Sequence, residues 1–314
     1  MTLMSTFYET IKVEANFKSG CEGFMVTRRK DGSRNIYLYL VFIGFALTGI
    51  LIIVAINYLP RFAQRGAVPP FEELQRYPVK SITPEVPVSP HQEASPKVAI
   101  IIDDLGYDTS LAEGFMRLDL PLTLSILPFA PSTRSIARRA KEEGREVMLH
   151  LPMEPRSYPR INPGDGVLLV SMERAAILEV LERDLGEMPF VEGVNNHMGS
   201  RFTENREQMM VVLGELKRRG LYFVDSKTSR MSVAFDLARQ MGIRTACRDI
   251  FLDNDLSEGA LKIQMERLLT VARHKGHAIG IGHPHKETLW FLRKFQVGLQ
   301  KEVEVVPVSC LVNR

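Results

Sequence analysis

Five apolar residues, Val98–Ile102, run directly into two adjacent carboxylates, Asp103 and Asp104, and then a glycine, Gly106. An uninterrupted apolar run of this kind reads as a parallel strand buried on both faces, so the chain must supply helices to cover it. Acids at the end of such a strand are costly unless they bind something. In α/β folds the carboxyl ends of the strands are where ligands and metals sit, which makes Asp103 and Asp104 the first candidates for chemistry. The alternative use for one of them is to cap the following helix or turn.

From Val98 onward the same pattern recurs. Strand-like runs near 98–102, 122–127, 146–151, 191–195, 221–225, 244–247, 277–281 and 303–307 alternate with amphipathic stretches at 132–143, 172–185, 206–219, 233–241, 258–274 and 287–299. Such alternation predicts parallel strands joined by crossover helices. Gly144, Gly220, Gly242 and Gly276 follow helical runs, where a helix terminator is expected. Seven or eight β/α units fit a closed barrel or an open doubly wound sheet. The barrel is favoured because polar motifs follow at least five different strands and would converge on one mouth. No G-x-G-x-x-G follows the first strand, which argues against dinucleotide binding. There is no repeat of 20–50 residues that would indicate a solenoid.

The 314-residue chain carries a formal charge of only +3, too little to suggest nucleic acid as a partner. Ile36–Leu59 holds 24 residues without a charge, enough for an uncleaved transmembrane helix. Lys12, Lys18, Arg28, Arg29, Lys30 and Arg34 precede it, whereas only Arg61 and Arg65 follow closely. This imbalance predicts a cytoplasmic tail over 1–35, a membrane anchor over 36–59, and an external location for the rest. Prolines 60, 69, 70, 78, 84, 87, 90 and 96 mark residues 60–96 as an extended linker ahead of a large domain at 97–314. Cys21 falls on the cytoplasmic side, while Cys247 and Cys310 lie in apparent strands as buried free thiols or a disulfide.

The polar residues at strand ends are His150, with Glu154 four residues later; His197 and Arg201; Asp225; and His283 with His285. Taken singly, each has a structural alternative: a loop histidine bonded to backbone, a buried core histidine, an internal ion pair. Together with Asp103 and Asp104 they suit a divalent metal held by mixed oxygen and imidazole ligands. A carboxylate could then take the proton of a water, and a histidine could protonate a leaving group. Pro155–Gly166 is long enough to shape a substrate site beside that mouth.

The segments IIDDLGYD, LHLPMEP, NNHMGSRFT, FVDSKTS and IGIGHPH, in this order, closely resemble the divergent branch of the polysaccharide deacetylase superfamily, over nearly all of 97–311. The resemblance implies a distorted (β/α) barrel and metal-dependent removal of acetyl groups from N-acetylated sugars of the cell envelope, with zinc as the favoured metal. By position it makes Asp103 the base, Asp104 a metal ligand and His283 the catalytic acid. The superfamily's usual pair of histidines four apart is here His150 and Glu154, so the ligand set is Asp104 and His150 with His197 or Glu154 as the third. Its arginine-proline-tyrosine motif is replaced by Asn196-His-Met-Gly-Ser-Arg201. Asn196, Arg201, Asp225 and His285 are the expected substrate contacts. The altered ligands leave a second expectation open, a non-catalytic envelope protein that binds glycan or a protein partner.

Overall fold

The computed structural model describes residues 95–312. The segments expected as tail and anchor lie outside them, as does nearly all of the linker. Among the described residues no helix is long and apolar enough to cross a membrane.

The elements alternate as expected. The strands are β1 (Lys97–Leu105), β2 (Thr123–Ile126), β3 (Glu146–Met153), β4 (Gly193–Met198), β5 (Tyr222–Asp225), β6 (Thr245–Cys247), β7 (Ile250–Phe251), β8 (His277–Gly282) and β9 (Glu304–Val305). The helices are α1 (Thr109–Met116), α2 (Thr133–Glu142), α3 (Arg174–Gly186), α4 (Arg206–Arg219), α5 (Ala234–Gln240), α6 (Glu258–Lys275) and α7 (Lys286–Glu302). Side-chain caps start three of them: Asp108 accepts from Leu111 N–H, Asn205 from Glu207 and Gln208 N–H, and Ser257 from Ala260 N–H. The four glycines expected to end helices all have φ between 69° and 80°.

All strand pairs are parallel, in the order β6-β5-β4-β3-β2-β1-β8-β7, with β9 also on β1. The chain leaves the β5 edge at Cys247 and joins the β8 edge at Ile250, with only Arg248 and Asp249 between. Arg248 N–H bonds Asp225 O, and Asp249 N–H bonds Ile279 O. Three Cα steps span at most about 11 Å, so the two ends of the sheet must curl toward each other. The result is a curled parallel α/β sheet consistent with a distorted (β/α) barrel. β7, with two residues, is too short to show a strand pattern in the sequence and was not expected.

Strand parity sorts the core into two layers. Val98, Ile100 and Ile102 pack with the helices, as do Leu149, Leu151 and Phe223. Ala99, Ile101, Met148, Tyr222, Val224, Ile279 and Ile281 form a separate interior core. Gly193 makes room for this filling, since a Cβ there would lie 2.1 Å from the Tyr222 ring. The end of the interior opposite the strand carboxyl termini is closed by the C-terminal segment. Val306, Val308, Leu311 and Val312 join the interior core, Val308 N–H bonds Thr123 Oγ1 at 2.9 Å, and buried Glu146 accepts from Tyr222 Oη at 2.8 Å. Cys247 and Cys310 are free thiols, and Cys310 lies exposed in the turn Val308–Cys310 rather than in a strand.

Candidate metal centre and acid–base site

Asp103 continues the inward parity of Ala99 and Ile101, so an unbroken strand would turn Asp104 outward. A bulge changes that. The register slips between Ile102 and Leu105, and Asp104 adopts φ 56°, a left-handed conformation uncommon outside glycine. Both carboxylates thereby reach the same histidine: His150 Nε2 is 3.0 Å from Asp104 Oδ1 and 3.7 Å from Asp103 Oδ2. His150 lies within β3, which continues to Met153, and shares inward parity with Met148. His197 lies on the neighbouring strand β4, two residues beyond Asn195.

Asp104 Oδ1, His150 Nε2 and His197 Nδ1 form a triangle with sides of 3.0, 2.9 and 3.1 Å. All three residues are buried, yet Asp104 Oδ1 and His197 Nε2 have no hydrogen-bond partner. Donors ~2.1 Å from a tetrahedral zinc ion lie ~3.4 Å apart, so this slightly contracted set fits a small divalent cation. Burial would raise the pKa of Asp104, but the charge of His197 and the contacts with both histidines hold it well below the usual carboxylate range. The histidines diverge. Burial lowers the pKa of His197 against the pull of Asp104, whereas at His150 burial is outweighed by Asp103 and Asp104, which raise it. Metal ligation requires the carboxylate ionised and both imidazoles neutral, so an ion bound here would displace any proton the cluster holds.

Glu154 is not placed with these three. Its Oε1 takes Arg201 Nη1 at 2.7 Å and its Oε2 takes Val170 N–H at 2.6 Å, because β3 carries it past the mouth into the loop that docks on Leu168 and Val170. Of the two residues expected to supply the third ligand, the structure brings His197 to the cluster. Arg201 is paired with Glu154, and 56% of its side chain is exposed.

Asp225 and Asn196 also lie away from the cluster, for reasons of parity. Asp225 shares the helix-facing side of β5 with Phe223, and its carboxylate accepts from Ser232 Oγ and from the backbone N–H groups of Lys227 and Phe235. Burial raises its pKa, against those hydrogen bonds and the charge of Lys227. Asn196 shares the helix-facing side with Val194, donates to Met198 O and accepts from Ser226 N–H, which ties β4 to the turn after β5.

His283 follows β8 with the inward parity of Ile279 and Ile281. Its Nδ1 is 2.8 Å from Oδ1 of Asp253, a buried acid just beyond β7. Asp253 Oδ2 accepts from His283 N–H at 2.6 Å and from Thr288 Oγ1 at 2.7 Å. Burial would strip the His283 proton, but Asp253 outweighs it through charge and hydrogen bonding. Smaller contributions come from Asp104 and Asp103, and the pKa rises to about 9. The Asp253 pKa is lowered in turn, with burial opposed by the His283 charge and the hydrogen bonds it accepts. His285 stands at the N-cap position of α7 without a side-chain capping bond, its ring centroid 6.2 Å from that of His283, and it could form a three-residue group with His283 and Asp253. The Asp253 oxygens are already engaged there, so Asp104, His150 and His197 are the better fit for a metal.

Two residues of this site escaped the sequence reading, Asp253 and Asn195. Asp253 follows Ile250-Phe-Leu252 as Asp103 follows its own apolar run, but β7 was unrecognised. The two-residue period could have found Asn195, since the inward neighbour of His197 is Asn195 and not Asn196.

The closeness to known proteins covers the part of the chain that builds this site. The chain is 33% identical over 217 residues to the uncharacterized protein YibQ of Escherichia coli K12, covering 69% of this chain and 67% of that protein. An uncharacterized protein of Haemophilus influenzae is 32% identical over 218 residues, with 69% and 77% covered. The crystal structure of the uncharacterized protein ATU2773 from Agrobacterium tumefaciens C58 superposes with a TM-score of 0.67 at 28% identity, covering 72% of this chain and 92% of that one. The model of one family matches residues 100–312, which run from β1 through the C-terminal turn that closes the interior. With Asp103, Asp104, His150, His197 and His283 all inside that span, the chain belongs to the divergent polysaccharide deacetylase family.

Proposed function

We propose that this protein is a metal-dependent hydrolase that removes N-acetyl or related acyl groups from an envelope glycan. The observation that carries the reading is the pairing, inside one sheet, of the donor triangle Asp104–His150–His197 with a histidine kept protonated by Asp253. A divalent cation, with zinc the favoured ion, would be held by Asp104, His150 and His197, where it would acidify a water and polarise an acyl carbonyl. Asp103 stands beside that position and is the acceptor for the water proton. His283 is cationic at neutral pH and donates its proton to the departing amine, which cannot leave as an anion. Glu154 and Arg201 hold the loop after β3 against the mouth, and Arg201, whose side chain is half-exposed, contributes to the substrate side. Membrane attachment through Ile36–Leu59, with the large domain outside the cytoplasm, would place this chemistry at the envelope.

The test is acetate release by the zinc-loaded full chain from a panel of N-acetylated envelope glycans. Asp103→Asn and His283→Ala should keep metal while turnover falls by about 10²–10⁴-fold. If the parent released no acetate, and both variants restored the envelope phenotype of cells lacking the protein, the site would be a binding scaffold instead.

A further inference from the structure

Asn195 is completely buried, and its carboxamide touches three other strands. Its Nδ2 donates to Asp103 Oδ1 on β1 at 2.8 Å, and its Oδ1 accepts from Ser125 Oγ on β2 at 2.7 Å. The same Oδ1 lies 2.8 Å from Nδ1 of His150 on β3, the residue directly paired with Asn195 in the β3–β4 register. The orientation of the amide follows from its partners. The carboxylate oxygen of Asp103 is an acceptor, so the NH₂ end faces Asp103 and the oxygen faces Ser125 and His150. The two lone pairs of Oδ1 then take one proton from Ser125 and one from His150 Nδ1. In the neutral ring that leaves the His150 lone pair on Nε2, the atom 3.0 Å from Asp104 Oδ1 and 3.1 Å from His197 Nδ1.

We propose that Asn195 is the positioning residue that couples the two halves of this site, fixing the His150 tautomer for metal binding with its oxygen and the Asp103 carboxylate with its nitrogen. The inference rests on the reading of Asp104, His150 and His197 as metal ligands, but it makes a separate claim about hydrogen bonding that holds without the ion. It also accounts for Ser125, a buried hydroxyl inside the sheet that fills the second lone pair of the Asn195 oxygen.

The two arms can be separated by isosteric replacement. Asn195→Asp keeps an oxygen for His150 Nδ1–H and Ser125 while setting an oxygen against Asp103. Asn195→Ala removes both arms. Zinc affinity of the full chain, measured by competition with a chromogenic chelator, should fall about 10–100-fold in Asn195→Ala and stay within about threefold of the parent in Asn195→Asp. Imidazole ¹⁵N shifts of the metal-free, histidine-labelled chain at alkaline pH should report the Nδ1–H tautomer of His150 in the parent and in Asn195→Asp. Parental zinc affinity in Asn195→Ala, loss of zinc by Asn195→Asp, or an Nε2–H tautomer in the parent would each overturn the proposal. Should Asn195→Ala not fold, the Asn195→Asp affinity and the parent tautomer still decide it. A parent that binds no zinc would defeat the metal reading alone, and the tautomer would then decide the role of Asn195.

Discussion

Asp253 Oδ1 lies 2.8 Å from His283 Nδ1, and the second oxygen of the same carboxylate accepts the His283 backbone N–H. One acid thus fixes both the position and the charge of the imidazole, leaving Nε2 as the proton that the histidine can give away.

This pair should impose a pH window on stability. The His283 pKa rises from 6.5 to about 9 on folding, so its contribution is fully present below about 6.5 and is lost as pH climbs through about 9. The Asp253 pKa is lowered from 3.8, so its share is present above that value and is lost as pH falls through the lowered pKa. The gap in melting temperature between the parent and Asp253→Asn should therefore be widest at mildly acidic pH, shrink as pH rises above about 6.5 and be lost above about 9. An unchanged gap across that range would mean that the pair is not ionised as described. On the proposed function, the alkaline limb of the acetate-release profile should move to lower pH in the same variant.

For the metal centre, Asp104→Ala and His150→Ala should each sharply reduce zinc content, because each removes a donor of the buried triangle. Asp225→Asn and Glu154→Gln should have smaller effects, because Asp225 bonds the turn after β5 and Glu154 bonds Arg201 and Val170. Elemental analysis of the purified full-length variants reads this directly. Full occupancy in both donor variants would relocate the site.

The interior core of the curled sheet offers a test independent of chemistry. A methyl group at Gly193 would fall 2.1 Å from the Tyr222 ring, which is itself held by Glu146. Gly193→Ala should cost ~1–3 kcal/mol, measured by denaturant unfolding, through overpacking of the interior core. Addition of the Tyr222→Phe change should not relieve it, since the ring and not the hydroxyl is in the way.

Membrane topology is tested in cells. A reporter active only outside the cytoplasm should work when fused after Pro96, given the basic residues ahead of Ile36–Leu59. Activity restricted to fusions before Arg34 would reverse the orientation.

The alternation of apolar runs with amphipathic stretches was enough to specify a parallel α/β fold, because buried parallel strands need no polar face and their helices carry a visible stripe. Sequence also marked Asp103, Asp104, His150, His197 and His283, since a polar residue adjoining an apolar strand has few structural excuses. What it could not convey was side. The bulge that swings Asp104 inward depends on how β1 registers against β2, and the outward placement of Asp225 and Asn196 depends on parity within strands whose ends were not visible. Nor could it relate Glu154 to Arg201, or Asp253 to His283, because those pairs are separated by 47 and 30 residues and meet only when β3 pairs with β4 and β7 with β8. Asn195 shows the limit most plainly: its amide is one polar side chain among many until three other strands close around it and leave each of its hydrogen bonds a single partner.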